Sequence, residues 1–168
     1  MPVSVYVFIF IQLLYVSYID IQSRKIANVW SIGNIFLFLV LVFFFPNNYI
    51  IGIETLLYPL GIFLAGFLLF ILKIMGGGDS KYLASLFLLI PVAHQDQALV
   101  SLSVVTVIVG LSVFITNILK NLEFIIQAFK EGNVVQIKKI FGKKFAFAPV
   151  ILISWIFLGW KIKKHIFF

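Results

Sequence analysis

Residues 98–119 read ALVSLSVVTVIVGLSVFITNIL, 22 residues without a charged side chain. A helix needs about 20 predominantly apolar residues to cross a hydrocarbon core of about 30 Å. In lipid each backbone N–H and C=O must be paired within the protein, so a run of this kind is helical. Its Ser101, Ser103, Thr106, Gly110, Ser112 and Thr116 are small or hydroxylated, which suits packing against neighbouring helices in a bundle.

The rest of the chain repeats the pattern. Of 168 residues, 62% are hydrophobic and 11% charged, against about 45–50% and about 25% in a soluble domain. So few charges cannot cover so much apolar surface, which excludes a water-soluble enzyme. Cysteine is absent, which excludes a disulfide scaffold and a cysteine-ligated zinc or iron–sulfur centre. The length leaves room for about six crossings and no sizeable extramembrane domain. The expected fold is an all-α polytopic membrane protein, a single membrane-embedded unit over residues 1–168.

Six apolar blocks mark the crossings: Met1 to Ile19, Val29 to Phe45, Tyr49 to Met75, a fourth after Gly76-Gly77-Gly78-Asp79, Ala98 to Leu119, and Phe145 to Trp160. The first has no basic flank or small-residue cleavage site, so it reads as a retained helix. In the third, Gly61 and Ala65 are spaced to let a neighbour approach. The continuous apolar part of the fourth, Tyr82 to Ala93, is 12 residues, or ~18 Å of helix. To span, it must extend from about Asp79 to Gln97, which pulls Asp79 to the hydrocarbon edge. Pro149 falls in the first turn of the sixth, where its missing N–H does little harm.

The net charge of +7 lies between the blocks and not in a nucleic-acid-binding stripe. Connections at about 20–28, 73–81 and 120–145 hold ten basic residues, among them Arg24, Lys25, Lys73 and Lys81, while the alternate connections hold none. The positive-inside rule makes that side cytoplasmic and the N-terminus external. Lys161, Lys163 and Lys164 oppose the rule if the sixth block spans. In the long connection Val134, Ile137, Ile140 and Phe141 recur at helical spacing, as in an interfacial helix or a solvated basic loop.

Of six acidic residues, Glu54 and Asp96 fall near the outer face, and Glu123 and Glu131 in the basic connection. Asp20 and Asp79 are different: one closes the first block and the other opens the fourth, both on the cytoplasmic side. Two carboxylates held a few ångströms apart share a proton and titrate as a pair. One then activates water while the other hydrogen-bonds the carbonyl oxygen under attack, as in aspartic proteases. No cofactor or metal enters this scheme. His94 and His165 read as ordinary interfacial residues. Simpler roles also exist: Asp79 suits a helix N-terminus, and Asp20 is a boundary residue whose charge opposes the dipole of its own helix. The glycine run suits a sharp bend, or room for an extended peptide beside Asp79.

Gly76-Gly77-Gly78-Asp79-Ser80-Lys81 resembles the GxGD signature of the type IV prepilin peptidases, membrane aspartic proteases. Asp20-Ile21-Gln22-Ser23-Arg24-Lys25-Ile26-Ala27-Asn28 is similar to their first-aspartate motif, with Ala27 where proline is usual. Phe147-Ala148-Pro149 resembles the start of their last helix. The likeness implies a six-helix GxGD bundle in a bacterial or archaeal inner membrane, resembling the short members that serve tight-adherence pili. It implies cleavage of prepilins or pseudopilins at the cytoplasmic face, after a basic leader and before their apolar helix. Asp20 and Asp79 match the catalytic pair; Gly76, Gly77, Gly78, Lys81 and Asn28 match the motif positions. Lys81 is expected to keep one aspartate ionised by proximity, and Arg24 and Lys25 to meet anionic lipid headgroups. Because the chain opens in its first helix without cysteines, no zinc site is expected. A non-catalytic carrier or assembly scaffold, and a presenilin-like protease, are the alternatives.

Overall fold

The computed structural model describes residues 1–72, 75–122 and 146–162. Within them the chain is helical, without strands: α1 (Val3–Ser23), α2 (Asn28–Phe44), α3 (Ile53–Ile71), α4 (Gly77–Leu88), α5 (Val92–Lys120) and α6 (Ala148–Lys161). α1, α3 and α5 are long and apolar enough to cross a membrane. α2 and α6 are shorter apolar helices, and α4 has only 12 residues. Exposed Ile53, Leu64, Val107 and Ile108 clothe the outer helices in apolar side chains, which is the surface of a protein dissolved in lipid.

Helices α2 and α3 pack on α4, while α1 and α5 pack on α6. The two shortest helices therefore form the centres of two halves. They meet along a seam where Leu83, Leu86 and Phe87 of α4 face Ile151, Trp155 and Leu158 of α6. Tyr82, Leu86 and Phe87 are almost fully buried, as expected of a helix enclosed by others. Tyr6 of α1 stacks on Trp155 with ring centroids 5.1 Å apart, and its hydroxyl donates to the Trp155 carbonyl.

An interior relay ties α1, α2 and α4 together. The Gln12 amide donates to Asn34 Oδ1 at 2.7 Å, and the Asn34 amide donates to Ser85 Oγ at 3.2 Å. Amides in a lipid-embedded bundle hold helices together because hydrocarbon offers them no other partner.

The fourth block differs from expectation. α4 ends at Leu88 and does not run to Gln97; after Pro91 the chain is already in α5, so His94 to Gln97 are helical. Proline removes a donor and disfavours helix at the residue before it. The terminal carbonyls of α4 then need partners inside the protein. Gln95, fully buried, donates from Nε2 to Phe87 O at 3.2 Å and Ile90 O at 3.1 Å. Tyr49 donates to Leu89 O at 3.0 Å, and burial pushes its phenol well above the ordinary tyrosine range. A helix capped in this way does not have to reach the far side.

Two boundaries and one packing contact also move. α1 continues through Ser23, so Asp20 lies in its last turn and the connection shortens to four residues, 24–27. Asp79 to Lys81 belong to the first turns of α4 and not to a loop. The close small-residue contact on α3 is at Gly66: a Cβ there would stand 2.7 Å from the Ser80 side chain, whereas Gly61 meets open space and Ala65 is exposed. The stretch from Val134 to Phe141, read as an interfacial helix or a solvated basic loop, lies outside the described residues, as do Lys73, Glu123, Glu131, Lys163, Lys164 and His165.

Gly66→Ala should lower the thermal unfolding temperature in detergent micelles, because overpacking costs about 1–3 kcal/mol. Gly61→Ala should leave it unchanged or raise it, since alanine is the better helix former by up to about 1 kcal/mol. Equal effects of the two substitutions would contradict the packing described.

Candidate active site

Asp79 is the third residue of α4, where a carboxylate faces the unpaired N–H groups of the first turn. Its Oδ2 accepts the Gly76 N–H at 3.1 Å, and the residue is only 9% exposed. It lines a cavity of about 800 Å³ together with Ile19, Ser23, the 24–28 segment, Phe70 and the glycine run.

The three glycines have separate reasons. At Gly78 a Cβ would strike the backbone carbonyl of Ile26, so the start of α4 lies directly against the α1–α2 connection. At Gly76 a Cβ would stand 2.9 Å from Asp79 Oδ2 and displace the carboxylate. Gly77 meets the Phe70 ring at an ordinary 3.4 Å. Gly76 has φ −76°, a conformation open to any residue, and the other two are helical. Close approach explains Gly76 and Gly78, and the bend in this stretch falls at Met75, just before the run. The space at Gly78 is taken by the protein's own backbone.

Asp20 is 2% exposed. Its Oδ2 accepts the Ala148 N–H at 2.9 Å, joining residues 128 apart. Ala148 is the first residue of α6 and Pro149 the second, so in this turn proline offers no donor and Ala148 supplies one. The carboxylate that opposes the dipole of α1 thus sits on the favourable N-terminal end of α6. Asp20 and Asp79 occupy the same end of the bundle, because Ile19, next to Asp20, lines the cavity that holds Asp79. Their side chains have different immediate partners. The Asp20 carboxylate turns to α6, while α1 shows Ile19 and Ser23 to the cavity.

Arg24 and Lys25 are exposed and stand on the wall of that cavity. Arg24 has φ 51° and ends α1 in the left-handed conformation, the only non-glycine to do so among the described residues. Lys81, two residues beyond Asp79, lines a different groove between α2, α3 and α4, since positions i and i+2 of a helix point apart. Asn28 opens α2 and borders both that groove and the cavity. His94 is buried on α5 beside Gln95, at the α4–α5 junction, whereas Asp79 is at the opposite end of α4. The Gln12–Asn34–Ser85 relay was not anticipated; its signal was two amides, each inside an apolar block, outside any search limited to charges.

A sequence model of the type IV leader peptidase family matches residues 7–127. The chain belongs to that family. The matched segment contains Asp20, Asn28, the glycine run, Asp79 and Lys81, and it stops before Ala148. No curated protein and no solved structure matches the chain. Membership carries a leader-peptidase-like function in general terms, membrane residence, and prepilin-type substrates as a class.

Ala148→Pro should remove the donor to Asp20 and also strain Phe147, whose helical backbone a following proline disfavours. A hydrogen bond to a charged group contributes about 1.5–3 kcal/mol, so the variant should have a reduced melting temperature. An unchanged melting temperature would show that this contact is not needed.

Proposed function

We propose that this family member is an aspartic endopeptidase that removes the basic leader of prepilins or pseudopilins, with Asp20 and Asp79 as its catalytic pair. The single observation that carries the reading is that the chain's two motif aspartates lie at one end of the bundle, one of them on the wall of a large cavity. An ionised carboxylate takes a proton from water, and the hydroxide oxygen bonds to the scissile carbonyl carbon. The protonated partner donates to the carbonyl oxygen as it gains charge. When the intermediate collapses, the C–N bond breaks and the leaving amine takes up a proton.

The contact of Asp20 with Ala148 belongs to the resting protein, where catalytic hydrogen bonds are often not those of the substrate complex. A substrate backbone in the cavity lies between Asp79 and the end of α1, and a turn of the Asp20 side chain from α6 completes the pair. The glycine at 76 leaves the Asp79 carboxylate unobstructed. The excess of basic residues in the connections on this side supports a cytoplasmic active site in a bacterial or archaeal inner membrane. Arg24 and Lys25, exposed at the same level, serve anionic headgroups. A carrier or scaffold and a presenilin-like protease find no support in the family match.

Co-expression with a reporter prepilin tests the assignment. Asp20→Asn and Asp79→Asn should each slow leader removal by about 10²-fold to 10⁴-fold, with melting temperatures near wild type. Wild-type processing by either variant would disprove the pair.

A further inference from the structure

The groove that holds Lys81 runs beside α4 and not into the cavity. Three helices build it by one rule. Each contributes positions i, i+3, i+4 and i+7, starting at Asn28 on α2, Leu56 on α3 and Lys81 on α4. Those positions form a single face of a helix. Since α2 and α3 both pack on α4 without substantial contact to each other, their faces become two walls and α4 the floor. The volume is about 500 Å³, and Ile32, Ile35 and Leu60 on its walls are exposed. On α4 the trough spans about two helical turns.

We propose that this trough receives the apolar helix of the substrate, laid along α4 with its N-terminal end toward the Asp79 cavity. The inference rests on the leader-peptidase reading above and adds where the substrate is held. Corrugated walls of helical period take the ridges of a guest helix. The trough joins the cavity at Asn28, which borders both. A helix docked there delivers the segment just before it, where a leader is cut, to Asp79. Ser31, one turn along α2 from Asn28, lines the trough near that end. Lys81 at the same end is exposed, and its stem lets the ammonium reach headgroup level.

The test uses the full chain in proteoliposomes and a reporter with a basic leader followed by an apolar helix of about 20 residues. A photo-crosslinking residue at Leu60, in the Asp79→Asn background, should label the reporter helix, while the same residue at Val107 on α5 should not. Filling the trough with Ile35→Trp and Leu60→Trp should slow reporter cleavage by about tenfold or more, because remote binding energy supports the reacting centre. A soluble peptide holding only the leader and cleavage site should be cut at the wild-type enzyme's own rate for it, which shows that the filled variant is folded. Labels from Leu60 that go only to lipid, to a second copy or elsewhere on the same chain overturn the inference. So does a filled variant that cuts the reporter as wild type does, or loses both substrates equally while still melting as wild type does. In each of these cases the peptidase reading stands, whereas a wild type that cuts no leader removes both.

Discussion

The backbone contact between Gly78 and the Ile26 carbonyl holds together the end of the bundle that carries Asp20 and Asp79. With no side chain between them, the first turn of α4 rests on the short connection that follows α1. Asp79 is one residue from Gly78, and Asp20 is six residues before Ile26. One residue further along α4, Ser80 fits the space that Gly66 leaves on α3. Two close approaches within one helical turn thus fix where α1, α3 and α4 converge, and the cavity is what remains between them.

Each acid finds a helix N-terminus. Asp79 uses its own, through the Gly76 N–H, whereas Asp20 uses that of α6, a helix 128 residues away. Carboxylates at the edge of hydrocarbon need donors, and first-turn N–H groups are donors that no intrahelical bond consumes. The same accounting explains the opposite end of α4, where Gln95 and Tyr49 supply donors to carbonyls that a short helix leaves open.

The pairing of helices has a consequence for access. Because α2 and α3 each lean on α4 and not on each other, the half that contains Asp79 is open sideways toward lipid along a continuous apolar trough. The other half, with α6 at its centre, closes around Trp155 and Leu158. On the reading proposed above, a substrate helix in the membrane reaches the site along this trough.

The all-helical membrane class, five of the six block positions and both motif aspartates were legible in the sequence, since length, hydropathy and local motif chemistry are properties of neighbouring residues. The fourth helix was misjudged because its end is set by Gln95 folding back onto it, an interaction that hydropathy does not register. A glycine run suits a bend or room for a peptide beside Asp79, but what a Cβ at Gly78 would touch is not local, since Ile26 is 52 residues away. Nor does local sequence say that Asp20 would rest on Ala148, that Lys81 would leave Asp79 for another groove, or that Gln12 and Asn34 would join. Those outcomes depend on which helix faces register with which, and only the packed bundle decides them.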